Sequence, residues 1–352
     1  MTDLLAVTER LCAVPSVSGN EAALADLVED RLQRTAPKLE VTRIGANVVA
    51  RTQFAAATRI VLGGHLDTVP VNNNATPRRD GDTLHGLGAA DMKGGRAVML
   101  QLAEELSAAA SGPDVTLVFY DGEEVADEHN GLRRLFAERP DLVAGDLAVL
   151  LEPTGRWVEA GCQGTIHVRV TFHGARAHSA RPWTGVNAIH RAAPTLARIA
   201  AHEAPTVTVD GLHYRESLQV VRMQAGIANN VVPDRCEIVV NRRYAPACSF
   251  EDAVAQTTAM FAEADEVEVV SASPAAPPNL TNPLINELVR VGELDVRPKL
   301  GWTDVARFAQ HGIPAVNFGP GEPELAHTAE ERVDRADLEH CWRVLAKLVG
   351  VG

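Results

Sequence analysis

The chain has 352 residues, with 33 Lys and Arg against 46 Asp and Glu, a formal net charge of −13, and 46% hydrophobic against 22% charged residues. That balance argues against a broad electrostatic grip on nucleic acid or anionic membrane and against a mainly disordered chain, and the length suits two domains. The first twenty residues carry no basic leader and no later run approaches the ~20 apolar residues of a bilayer span, so the expectation is a cytoplasmic protein with a small-molecule partner.

In chain order, residues 3–13 and 20–35 have helical apolar spacing, the second through Leu24, Leu27, Val28 and Leu32. The runs at 59–64, 115–120 and 147–151 read as buried strands, and the stretch from Met92 to about Ala110 as a helix between the first two. This alternation predicts an α/β fold, a central mixed sheet flanked by helices. From residue 164 the texture changes. TIHVRVTFHG (165–174), SLQVVRMQAG (217–226) and RCEIVVNRRY (235–244) alternate as half-exposed strands, and NAIHRAAPTLARIAAH (187–202) is an amphipathic helix, together a smaller α+β unit. It closes near the proline-rich segment 271–283, whose fixed dihedrals suit a connection between domains. A helix near 284–292, a buried strand at 313–319 and a terminal helix from about 334 then resume the first pattern. The expected organisation is a discontinuous catalytic domain, residues 1–163 and 281–352, with an inserted domain at 164–280.

Five segments place acids or imidazoles after strands or in the loops that follow: GGHLDTVP (His65, Asp67), LGAADMKGG (Asp91), DGEEV (Glu123, Glu124), LLEPT (Glu152) and ELAHT (His327). Singly, each reads as a solvated loop residue. Together, outside the carboxyl ends of strands, they read as one crevice. The five cysteines are an odd number without a CxxC pair, which argues against a disulfide framework and a structural zinc finger, so a metal would rest on His and carboxylates. Two imidazoles with three or four carboxylates suit zinc, with cobalt or manganese as alternatives. A pair of ions is the natural reading: Asp91 bridges, His65 and Glu152 complete one site, Glu124 and His327 the other, and each keeps an open position. Asp67, two residues from His65, is placed to accept the imidazole's other N–H, and Glu123, left over, to act as general base and then acid. GLGAAD has Asp91 where a dinucleotide fingerprint needs its third glycine, and MKGG lacks phosphate-loop spacing, so no nucleotide is expected.

HLDTVP, AADMKGG, DGEEV and LEPT, in this order, resemble the dinuclear zinc deacylases and exopeptidases that include aminoacylase, carboxypeptidase G and succinyl-diaminopimelate desuccinylase, over nearly the whole chain. The resemblance implies a catalytic α/β domain interrupted by a ferredoxin-like dimerisation domain, a homodimer, and a cis peptide bond after Asp91. GWTDVARF (301–308), VNFGPGEPELAHT (316–328) and ANNVVPD with NRRY (228–244) look most like the desuccinylase branch, although Cys162 and Gln163 stand where that branch carries two arginines. That branch implies hydrolysis of N-succinyl-LL-2,6-diaminopimelate to succinate and LL-2,6-diaminopimelate in lysine biosynthesis. It also implies that His178 reaches the partner subunit's active site and that Asn230, Arg243, Gly301 and Thr303 contact substrate. Arg181, Arg222, Arg242 and Arg307 are further candidate cations for the substrate's carboxylates. The alternatives are another N-acyl amino acid amidohydrolase or metallocarboxypeptidase of the same family, or a metal-dependent binding protein without turnover.

Overall fold

The computed structural model describes residues 3–352, which fall into two compact units. The first runs to Ala160 and resumes over Asn279–Arg297 and Arg307–Gly352; the second comprises Gly161–Pro278 and Pro298–Ala306. Residues 298–306, which the sequence assigns to the catalytic domain's second part, thus group with the inserted unit.

The first unit is built on an eight-stranded mixed sheet, ordered Glu40–Ile44, Asn47–Arg51, Asp114–Tyr120, Arg59–His65, Leu147–Leu150, Ala315–Asn317, Val158–Ala160 and Val296–Pro298. Its four central members, from Asp114–Tyr120 to Ala315–Asn317, are mutually parallel. Continuous apolar runs make them so: Ile60, Val61, Leu62, Leu117, Val118, Leu147 and Val149 are all buried, as a sheet without a wet face requires. The helices Leu4–Cys12, Ala22–Thr35, Gly94–Ala108 and Arg335–Leu348 pack on one another as one covering layer, and Phe136 of the helix Gly131–Glu138 meets Phe308 edge-on elsewhere in the unit. Helix starts are set by side chains, with Asp3, Asn130 and Asn282 accepting amide hydrogens of the first turn. The hairpin Glu40–Ile44/Asn47–Arg51 escapes sequence reading because its outer strand is half-exposed and lacks a clean period. A small sheet of Arg78–Asp80, Thr83–His85 and Arg332–Asp334 escapes it because three-residue strands show no period at all.

The second unit is a four-stranded antiparallel sheet ordered Ser217–Ala225, Arg235–Tyr244, Gly164–His173 and Glu266–Ser273, with helices Ala188–Ala200 and Phe250–Ala259. In chain order this is strand, helix, strand, strand, helix, strand: the ferredoxin-like arrangement that the resemblance implies. Ile166, Val168, Val170, Phe172, Ile238 and Val240 form its core with Ala192, Ile199, Ala253 and Phe261. The fourth strand, Glu266–Ser273, is a mostly exposed edge, which is why apolar alternation identifies only three. Among the described residues all five cysteines are free, and no helix is long and apolar enough to cross a membrane.

Candidate metal centre

The parallel strands of the first unit deliver their chemistry at one edge. His65 ends Arg59–His65, Glu123 and Glu124 lie just beyond Asp114–Tyr120, and Glu152 just beyond Leu147–Leu150; because these strands run the same way, their carboxyl ends converge. Asp91 comes from the irregular turn Ala89–Lys93 that leads into the helix Gly94–Ala108, and the Asp91–Met92 peptide is cis. His327 lies in the loop after Ala315–Asn317 with φ +64°, a left-handed conformation that a histidine keeps only when its surroundings enforce it.

The two carboxylate oxygens of Asp91 face different imidazoles. His65 Nε2 is 3.0 Å from Asp91 Oδ1, and His327 Nε2 is 3.3 Å from Asp91 Oδ2 and 2.8 Å from Glu124 Oε1. The donor atoms of His65, Asp91 and Glu152 lie within 4.8 Å of one another, as do those of Asp91, Glu124 and His327 and those of His65, Glu123 and Glu124. Asp91 is shared by the first two groups, and Glu123 adjoins without belonging to either.

Burial opposes charge on His65, but its bonds to Asp67 and Asp91 outweigh that and hold the ring's pKa well above the ordinary value. Asp91 and Glu124 push His327 up to about 10. Burial by itself would raise Asp91, yet His327 and His65 hold it well below the usual carboxylate range. Imidazolium charge therefore offsets carboxylate charge here, a balance that a divalent cation can take over once those protons leave. With imidazole and carboxylate donors and no thiolate, the set fits zinc, cobalt or manganese in a catalytic site.

Around these side chains lies a second layer of restraints. His65 Nδ1 is 3.0 Å from the backbone carbonyl of Asp67 and 3.4 Å from its carboxylate. That carboxylate also accepts the amides of Glu123 at 3.0 Å and Glu124 at 2.9 Å and the Ser18 hydroxyl at 2.7 Å, tying the acidic loop to the end of the His65 strand. Glu331, which sequence reasoning missed, does the same for Asp91: its carboxylate accepts the amides of Gly88, Ala90 and Asp91 at 3.0, 3.1 and 3.0 Å, and burial pushes it up to about 7. Nothing in the run Glu330–Glu331 distinguishes it from its neighbour, which is exposed; only tertiary placement does. Gly95 and Gly319 were also missed as functional positions. A Cβ at either would lie 2.5 or 2.2 Å from the carbonyl oxygen of Leu151, so both must be glycine for the segment carrying Glu152 to fit.

His178, Asn230, Arg243, Gly301 and Thr303 belong to the second unit. His178 forms an isolated bridge with Val231 and its Nδ1 accepts the Ala180 amide at 3.0 Å, while the Ser179 amide donates to the Asn230 carbonyl at 3.0 Å, so these two loops are neighbours. Arg243 pairs with Thr165 in the strand ladder, and the Cys162 thiol donates to the Thr303 carbonyl at 3.8 Å. Of the further arginines, Arg181 and Arg222 are exposed. Arg242 is instead consumed internally, bonded to the Ala253 carbonyl, Thr257 and Gln256, and Arg307 is paired with Asp127 at 2.6 Å.

The sequence model of Peptidase family M20/M25/M40 matches residues 61–350. The putative succinyl-diaminopimelate desuccinylase of Mycobacterium tuberculosis (strain H37Rv) is 46% identical over 349 residues, 99% of this chain and 98% of that protein. The succinyl-diaminopimelate desuccinylase of Corynebacterium glutamicum is 43% identical over 337 residues, 94% of this chain and 91% of that protein. Among solved structures, aminopeptidase PepT from Bacillus cereus superposes with a TM-score of 0.80 at 21% identity, covering 99% of this chain and 98% of its own. A dinuclear metal binding peptidase of the M20 family from Bacillus subtilis superposes with a TM-score of 0.72 at 16% identity, covering 98% and 96%. At these identities the likeness establishes the fold.

Proposed function

The chain belongs to peptidase family M20/M25/M40 and is a metal-dependent amidohydrolase, and from that premise we propose that its substrate is N-succinyl-LL-2,6-diaminopimelate, hydrolysed to succinate and LL-2,6-diaminopimelate in lysine biosynthesis. The reading of the centre rests above all on Asp91, whose two oxygens face His65 and His327 while Glu123 stands beside the cluster. The substrate is supported by two relatives named as desuccinylases at 46% and 43% identity over nearly the whole chain.

His65, Asp91 and Glu152 would hold one divalent ion, and Asp91, Glu124 and His327 the other, with zinc the best fit and cobalt an alternative. What such a pair supplies, when bound, is polarisation of the amide carbonyl and a lowered pKa for the attacking water. Glu123 takes a proton from that water as its oxygen bonds to the succinyl carbonyl carbon, and returns it to the amine nitrogen as the C–N bond breaks. Asp67 holds Glu123 and Glu124 by their amides, so the base and its neighbouring ligand keep a common frame. In a homodimer, His178 of one subunit donates to the developing oxyanion in the partner's site, while Asn230, Arg243, Gly301 and Thr303 bind the substrate's polar and carboxylate groups. The edge strand Ser217–Ala225, with Val221 and Met223 exposed at 56% and 44%, offers a pairing edge for the second copy. A small charged substrate and the absence of any need for a membrane suit a cytoplasmic enzyme.

The test is succinate release by the zinc-loaded protein from N-succinyl-LL-2,6-diaminopimelate, set against N-acetyl amino acids and small peptides. A preference for peptides or acetyl substrates would overturn the substrate while leaving amide hydrolysis intact.

A further inference from the structure

Among the described residues, Arg96, on the helix Gly94–Ala108, is the largest side chain with no exposed surface at all. Its Nη1 donates to the backbone carbonyl of His65, but Nε and Nη2, both buried, meet no hydrogen-bond acceptor. A guanidinium carries five N–H donors, and burying most of them unmatched is costly unless charge compensates. Burial lowers the Arg96 pKa to about 10 against the opposing pull of Cys12, Asp67, Asp91 and Glu152, and of these the carboxylates Asp67, Asp91 and Glu152 are the compensating charges. All three carboxylates belong to the proposed metal centre, so Arg96 is a buried cation bonded to the backbone of the ligand His65.

Charge balance gives that placement a meaning. Asp67, Asp91, Glu123, Glu124 and Glu152 are five carboxylates. Two divalent cations neutralise four of them, and the guanidinium neutralises the fifth. Without Arg96 the ligand cage would carry an additional uncompensated negative charge in a site of low dielectric and would hold its cations more tightly.

We propose that Arg96 is a positioning residue that sets metal affinity: it pins the His65 carbonyl and, as a built-in cation, weakens the hold of the centre on its divalent ions. This rests on the metal reading above. An arginine that merely filled space or tethered His65 would act in the opposite sense, since its loss would loosen a ligand and weaken binding. The sign of the change therefore separates the two roles.

The experiment measures zinc and cobalt dissociation constants by competition with a chelating dye, on the full-length protein, for wild type, Arg96→Met, Arg96→Gln and Arg96→Lys. Arg96→Met and Arg96→Gln remove the charge, and each should bind zinc about tenfold tighter or more, given one unit charge acting on divalent ions through partly screened protein. Arg96→Lys keeps the charge and should stay within about threefold of wild type by the same electrostatics. Far-ultraviolet circular dichroism and the unfolding midpoint establish which variants are folded, and the more polar Arg96→Gln decides the matter if Arg96→Met is not. Unchanged or weaker zinc binding in a folded neutral variant would overturn the inference. Wild-type protein that bound no divalent ion would overturn the metal reading instead, so the two failures are distinguishable.

Discussion

Gly95 and Gly319 approach the carbonyl oxygen of Leu151, the residue before Glu152, and Gly95→Ala puts that geometry to a quantitative test. An added Cβ would lie 2.5 Å from the oxygen and 2.8 Å from the Leu151 Cβ, about 0.9 Å inside the 3.4 Å at which ordinary contact begins. The segment cannot simply retreat, because the Leu151 amide is bonded to the Gly63 carbonyl at 2.9 Å and the Thr154 hydroxyl to the Gly319 carbonyl at 3.1 Å. Overpacking of this kind costs ~1–3 kcal/mol. On propensity alone the same substitution in a helix stabilises by up to ~1 kcal/mol, so the two accounts differ in sign. Glu152, carried on the displaced segment, should move by a comparable fraction of an ångström to an ångström, and a misplacement of ~1 Å is worth about 10²-fold in rate. The expected result is a metal-free protein with a lower unfolding midpoint, zinc binding weakened ~10- to 100-fold as when a ligand's support is lost, and a matching fall in turnover. A Gly95→Ala protein with a higher midpoint and unchanged zinc affinity would refute the packing argument and Glu152's place in the centre together.

Three other outcomes follow from the same geometry. Glu123→Gln should retain its metals yet lose ~10²- to 10⁴-fold in kcat, whereas His65→Ala should lose metal as well; metal analysis beside kinetics checks both, and near-normal turnover of Glu123→Gln would remove it as the base. Because His65 and His327 are held protonated in the metal-free protein, the latter with a pKa of about 10, zinc binding at pH 7 should release close to two protons and tighten as pH rises. The same shift, upward in the folded state, stabilises the metal-free fold below the unfolded value of ~6.5 and is lost as pH climbs through about 10, so the metal-free midpoint should fall over that window while titration calorimetry in paired buffers counts the protons. Arg243→Ala should raise KM with kcat less affected, a loss of ~2–5 kcal/mol if a carboxylate is left underpaired; unchanged KM would direct attention to the exposed Arg181.

Much of this protein is determined locally. The apolar runs at 59–64, 115–120 and 147–151 read as strands covered on both faces, because they are short, bounded and leave no wet side, and the alternating segments after residue 164 read as a half-exposed sheet. Acids and imidazoles placed just past such strands converge wherever the strands are parallel, so His65, Glu123, Glu124, Glu152 and His327 could be collected from their spacing, and the motif resemblance supplied what spacing leaves open. The tertiary structure decided the rest. Glu331 and Arg96 look in sequence like any acid beside an arginine and any arginine on a helix; what distinguishes them is being stripped of water against three amides in one case and against the His65 carbonyl in the other. Gly95 and Gly319, far apart in the chain, acquire their requirement for glycine only by meeting over Leu151. Periodicity records which face of an element is buried, but the hydrogen-bond partners and charges found there are set by elements tens to hundreds of residues away, and no local pattern encodes them.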